Sequence, residues 1–248
     1  VFIQDKAVQG VTPDVIAKYR RLLKRLEDYC TGRKVYAVQG ITRDLLTGFC
    51  ATWPELYPSS ITRAKLRERL RSFLRYCYEA QWLDRVPPVP KFKIDEPETQ
   101  PLTPEEYARL VDAVFVTIDS KRDGDGLQRK VHTFLETMRW TGLAIRDALT
   151  LRRDALTHDA KKRLYRVTTK RAKTGTPVSV PIPSSVAEAL LALPSGGDYF
   201  FWSGNGKPQS ATSNWGQRYI APVFAAAGIV SEGNMLSHRL RACSRFSY

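Results

Sequence analysis

The sequence predicts a mainly α protein with a small β-sheet, in which an all-helical amino-terminal part is followed by an α+β part. Three observations predict it. Apolar residues recur at helical spacing as far as Ala80 and stop at Pro87-Pro88-Val89-Pro90. A capping box with proline at the first helical position, Thr103-Pro104-Glu105-Glu106, then opens a new helix. Beyond Leu151 the period switches to strand-like alternation in two short runs. The expected division is a helical domain over 1–90, a polar, proline-containing linker over 91–101 and a second domain over 102–248.

In the first part, Thr12-Pro13-Asp14 starts a helix whose apolar stripe is Ile16, Tyr19, Leu23, Leu26 and Cys30. Lys18, Arg21 and Arg25 lie along another face, either solvated or tracking phosphates. Residues 41–53 read as a second helix, closed by Pro54 and the Pro58-Ser59-Ser60 turn. A third runs from about Ser60 towards Ala80, with Leu66, Leu70, Phe73, Leu74 and Cys77 inward. Arg67, Arg71 and Arg75 follow every fourth residue on its flank, and Arg63, Lys65 and Arg69 thicken the positive field. Such a stripe suits a duplex backbone; a charged, solvated helix face is the alternative.

In the second part, Tyr107, Leu110 and Val111 point inward from the capped helix, and Val131, Phe134, Leu135 and Met138 do so from the next. That helix runs into Thr141-Gly-Leu-Ala-Ile-Arg-Asp-Ala-Leu-Thr-Leu151, where Gly142 supplies the positive φ that ends one helix before another begins. Arg163 to Lys170 and Pro177 to Ile182 form a hairpin with a basic tip, Arg171-Ala-Lys-Thr-Gly-Thr176. Lys173 on that tip can protonate a departing alkoxide, meet a phosphate, or stay solvated. Ser184 to Leu193 reads as a short helix, residues 199–202 as an aromatic strand or turn, and Trp215, Ile220, Val223, Phe224 and Ala227 as another helix. His238 and Arg241, three apart, project from one helical face as a donor pair able to grip phosphate oxygens.

Composition bounds the chemistry. With 39 Lys and Arg against 25 Asp and Glu, the 248-residue chain carries a formal charge of +14, which favours a polyanionic partner, nucleic acid before membrane. No run approaches the roughly 18 apolar residues of a membrane span. Cys30, Cys50, Cys77 and Cys243 are widely spaced, with no CxxC pair, so neither zinc nor a disulfide framework is indicated. His132 and His158 are equally scattered, and no metal ligand set is expected. A chain that starts at Val1 without methionine reads as a processed or excised product.

The ordered motifs, from Thr141-Gly-Leu through the hairpin Lys173 to His238-x-Leu-Arg241, resemble the tyrosine recombinase, or phage integrase, family. The likeness runs from about residue 10 to 241. It implies a core-binding domain and an integrase-like catalytic domain that close as a C-shape around double-stranded DNA, with metal-free phosphoryl transfer and no cofactor. In the family a tyrosine attacks the scissile phosphate to give a 3′-phosphotyrosine, two arginines and a histidine hold that phosphate, and the hairpin lysine protonates the leaving oxygen. Lys173, His238 and Arg241 match the lysine, the histidine and the second arginine.

Two departures accompany the resemblance. Ala144 stands where the family has its first arginine, and Arg146 lies two residues on, about 200° round an ideal helix. After Arg241 only seven residues remain, so the nucleophile segment is read as missing; Tyr248 could span roughly 23 Å in extended chain, but reach is not preorganisation. Tyr219 reads as a packing residue. The expectation is a DNA-binding recombinase homologue impaired in strand cleavage, contacting DNA through Lys18, Arg21, Arg25, Arg63, Lys65, Arg67, Arg71 and Arg75. It is expected to be cytoplasmic, nucleoid-associated and monomeric in solution. The competing reading is a non-catalytic DNA-binding module; a metal-dependent nuclease finds no carboxylate cluster.

Overall fold

A computed structural model describes residues 1–95, 100–118, 125–161, 163–230 and 236–243. The chain forms two compact units, Val1–Pro97 and Glu98–Tyr248. It is mainly helical with one small sheet, the class that the periodicity predicts.

The first unit contains α1 (Phe2–Val8), α2 (Pro13–Thr31), α3 (Arg43–Ala51), α4 (Trp53–Leu56) and α5 (Ser60–Glu79). Leu22, Leu26, Leu46, Trp53, Leu70 and Leu74 fill its core. Leu22, and not the expected Leu23, takes the buried place on α2. The expected helix over 41–53 is two helices. Pro54 lies in the first turn of the second, after Trp53, rather than closing the first, because a proline there lacks only an N–H that would have no helical partner anyway. Thr42 and Ser59 cap α3 and α5 by accepting from Leu45 and Thr62 N–H. The periodicity gave no sign of α1. It is tied down by Phe2, whose ring meets Tyr19, Phe73 and Tyr76 edge-on at 5.2–5.4 Å.

The second unit opens with α6 (Pro104–Thr117), on which the expected capping box is complete: Glu106 N–H donates to Thr103 Oγ1, and Thr103 N–H to the Glu106 carboxylate. There follow α7 (Asp125–Thr141) and the five-residue α8 (Ile145–Leu149). A three-stranded antiparallel sheet is built from β1 (Leu156–Asp159), β2 (Leu164–Lys170) and β3 (Pro177–Ile182), in that order. The β2–β3 hairpin is where alternation put it, with Val167 opposite Val180. β1 was not foreseen, since four residues that include His158 and Asp159 carry no apolar alternation.

The remaining helices are α9 (Ser184–Leu191), α10 (Pro208–Trp215), α11 (Ala221–Ala226) and α12 (Leu236–Ala242), with a π-helical stretch, Gly216–Ile220, between α10 and α11. Phe134, Leu135, Met138, Leu143, Phe201 and Phe224 are fully or almost fully buried at the centre. Down α7 runs a buried ladder of hydroxyls. Thr133, Thr137 and Thr141 each donate to the backbone carbonyl four residues earlier.

Candidate nucleic-acid interface and phosphate site

At the end of α7, Gly142 takes φ of +61° and its N–H closes on Met138 C=O at 3.0 Å. Thr141 Oγ1 accepts from Leu143 N–H, and Leu143 is wholly buried beneath the turn. Ala144 is the N-cap of α8, extended at φ −67°, ψ 153°. Because Ala144 stands outside the helix, the 200° separation from Arg146, which assumes one continuous helix, does not apply. Arg146 lies in the first turn of α8, where its Nη1 donates to Gln209 Oε1 at 3.2 Å. Position 144 itself offers a methyl group and no charge.

Asp147 is the residue that reading the sequence missed. It is 8% exposed, and its Oδ1 accepts from Ala172 N–H at 3.0 Å, which ties the tip of the lysine hairpin to α8. A signal is present in the sequence: apart from Arg146, Asp147 is the one charged residue in the run from Leu143 to Leu151. The tip is closed by Arg171 N–H to Thr176 C=O and Gly175 N–H to Arg171 C=O. Lys173 is exposed on it, with no hydrogen bond or ion pair among the described residues.

His238 and Arg241 share α12, which packs along α7. Leu240 anchors the helix from its buried side. Arg239, between the two, docks it: Nη2 lies 2.7 Å from Glu106 Oε2, and Nε donates to Gln100 C=O at 3.1 Å. His238 is left exposed and Arg241 half-buried. The Glu106 carboxyl is held below the usual carboxylate range. Its partial burial pushes upward, but the Thr103 N–H and the Arg239 guanidinium outweigh that. α7 thus carries the alanine turn at its end and the His-Arg helix along its side, and Asp147 joins the lysine hairpin to the same turn.

In the first unit, α2 and α5 flank a basic groove. Lys18, Arg21 and Arg25 come from α2, Lys65 and Arg69 from α5, Leu22 and Leu66 line its apolar part, and no carboxylate lines it. Arg25 stacks 5.0 Å from the Tyr57 ring and donates to its hydroxyl. The expected arginine stripe divides. Arg67 donates to Val89 and Pro90 C=O and binds the proline segment to α5, while Arg63 donates to Tyr57 and Pro58 C=O. Arg71 and Arg75 are exposed, Arg75 lying 3.6 Å from Glu79. Arg69, already part of the expected basic field, lines the groove, and Arg63 and Arg67 make main-chain contacts within the unit.

Tyr248 lies outside the described residues. Tyr219 packs edge-on against Trp215 at 5.3 Å. Among the described residues no group of three or more His, Cys, Asp or Glu is placed to hold a metal ion, and no helix is long and apolar enough to cross a membrane.

The chain shares its fold with solved structures of a site-specific recombinase and of integrases. XerH site-specific recombinase, solved bound to difH substrate, superposes with a TM-score of 0.70 at 16% identity, over 96% of this chain and 70% of that one. Lambda integrase residues 75–356, solved as a dimer on a COC′ core site, gives 0.70 at 16% identity over 98% and 82%. The Tn1549 transposon integrase with circular intermediate DNA gives 0.70 at 16% over 98% and 83%. Likeness at this identity is one of fold. No sequence-family model matches the chain, and neither does any curated protein.

Proposed function

We propose that the chain is a DNA-binding member of the tyrosine recombinase family, with its phosphate-holding site partly intact and its strand cleavage impaired. The observation that carries the DNA-binding part is the groove of Lys18, Arg21, Arg25, Lys65 and Arg69, five cations without a carboxylate among them. Crowding like charges costs stability unless an anion neutralises them, and a duplex backbone supplies such anions at regular spacing. The recombinase fold supports double-stranded DNA as that anion, and similar proteins were solved on DNA.

In this reading Lys173 protonates the leaving oxygen, while His238 and Arg241 hold the phosphate as charge builds on it. Ala144 leaves one donor short, a loss that typically lowers rate about a hundred- to a thousandfold. The same alanine favours the second reading, in which the protein occupies recombination sites without cutting them. The protein is a monomer in solution and nucleoid-associated.

The test measures duplex affinity against salt for the wild type and for single Gln substitutions of Lys18, Arg21, Lys65 and Arg69. Each should lower the slope of log K on log salt by about 0.9. Unchanged slopes would remove the groove from the interface. A nicked suicide duplex, offered to the wild type, to Ala144→Arg and to any longer gene product, then separates the two readings: covalent adduct with any of them supports an impaired recombinase, and adduct with none supports the binding module.

A further inference from the structure

A cleft of about 430 Å³ lies against α8 and the foot of the lysine hairpin, and nothing in the reaction above uses it. Arg146, Thr150, Arg152, Asp154, Lys170 and Ala172 are among the residues that line it. Its charges sort unequally. Arg152 is held by Asp154 at 3.2 Å and Asp198 at 3.1 Å, so this exposed trio keeps one carboxylate charge in excess and leaves no cation over. The Asp147 carboxylate is buried and engaged by Ala172 N–H. Two cations are left without an ionic partner among the described residues. Arg146 donates only to the neutral amide of Gln209, and Lys170 is exposed at the end of β2 with neither hydrogen bond nor ion pair.

A planar guanidinium and an ammonium at one cleft suit a tetrahedral dianion or diester with several acceptor oxygens, the guanidinium gripping two and the ammonium acting as a point charge. Lys170 and Lys173 are three residues apart, at most about 10 Å of chain. With the reach of the two side chains added, both can meet one strand a few nucleotides apart. We infer that Arg146 and Lys170 together seat a single DNA phosphodiester, on the strand whose phosphate Lys173 reaches and a few nucleotides from it. The seat rests on the DNA-binding reading and extends it. It anchors the strand beside the reacting phosphate and does not replace the donor missing at Ala144, so its effect falls on affinity and not on chemistry.

The experiment uses the full chain and a fluorescent mixed-sequence duplex, with Arg146→Gln, Lys170→Gln, the double variant and Gln209→Ala. Each single variant should weaken binding about tenfold, the loss expected for one charge-assisted contact, and lower the salt slope by about 0.9. The double variant should lower the slope by about 0.9 as well, because both cations meet one phosphate. Gln209→Ala removes the Arg146 hydrogen bond yet keeps the cation, and should leave the slope unchanged. Equal losses in Arg146→Gln and Gln209→Ala would reduce Arg146 to a structural role and overturn the seat. Slopes unaltered in the single variants, or a double variant with about twice the single effect, would also overturn it. If the wild type bound no duplex, the DNA-binding reading and this seat would fall together, whereas a wild type that binds with unaltered variants sinks only the seat.

Discussion

The two units handle positive charge in opposite ways. In the first, Lys18, Arg21, Arg25, Lys65 and Arg69 are massed along one groove with no acid to offset them, and the nearest tie is the aromatic one between Arg25 and Tyr57. In the second, charges near the candidate site are placed one at a time. Arg239 is spent on Glu106 and Arg152 on Asp154 and Asp198, while Lys173 stands alone on a tip that Asp147 fixes. Massed charge gives affinity that salt erodes, whereas chemistry at a phosphate requires a few groups held in fixed positions. The difference teaches that counting cations finds the first kind of site and misses the second.

That contrast can be broken at Arg67, which belongs by sequence to the basic field and by structure to the fold. Arg67→Ala should destabilise the first unit by about 2 to 3 kcal/mol, the range for hydrogen bonds to a charged group, measured by denaturant unfolding. Its salt slope should stay at the wild-type value; a fall of about one would return Arg67 to the interface.

A smaller effect is expected at Glu106. Gln keeps the capping hydrogen bond but drops the charge opposite Arg239, and should cost about 1 to 2 kcal/mol, less than the 3 to 5 typical of a fully buried pair. Because the Glu106 carboxyl is held below its unfolded value of about 4.3, its stabilisation is complete above that pH and is lost as pH falls through the lower, folded value. The wild-type advantage over Glu106→Gln should therefore shrink below about pH 4. A constant difference between pH 6 and 3 would dissociate Arg239 from it. The smallest effect belongs to Tyr57→Phe, which removes one hydroxyl acceptor from Arg25 and keeps the ring. It should alter duplex affinity by less than about threefold, and a larger change would make the hydroxyl itself a DNA contact.

Much of this was legible in residue order. The capping box at Thr103, the positive φ at Gly142 and the β2–β3 hairpin follow from local chemistry, which the chain states within a few residues. What was not legible depends on partners distant in sequence. Arg67 looks like a surface arginine until Val89 and Pro90 bring their carbonyls to it. Asp147 looks like an ordinary acid of a helix start until Ala172 arrives from a strand turn. α1 has too few residues to show a period and is fixed by one ring, Phe2. Ala144 is the converse case, since its lack of charge is plain in the sequence, whereas its extended backbone is not.

The threonine ladder of α7 bears on how this protein can drift. Each of Thr133, Thr137 and Thr141 returns its proton to its own helix, so the surrounding core meets only methyl groups. Buried polarity of this kind places no demand on a neighbour, and exchange for another β-branched residue leaves no orphaned partner behind. The two ends of α7 are different, for Thr141 also accepts from Leu143 N–H at the turn. Substitutions can accumulate along the middle of the shaft while its last rung, which shapes the backbone leading to position 144, stays under constraint. An arginine introduced there would find the turn already built.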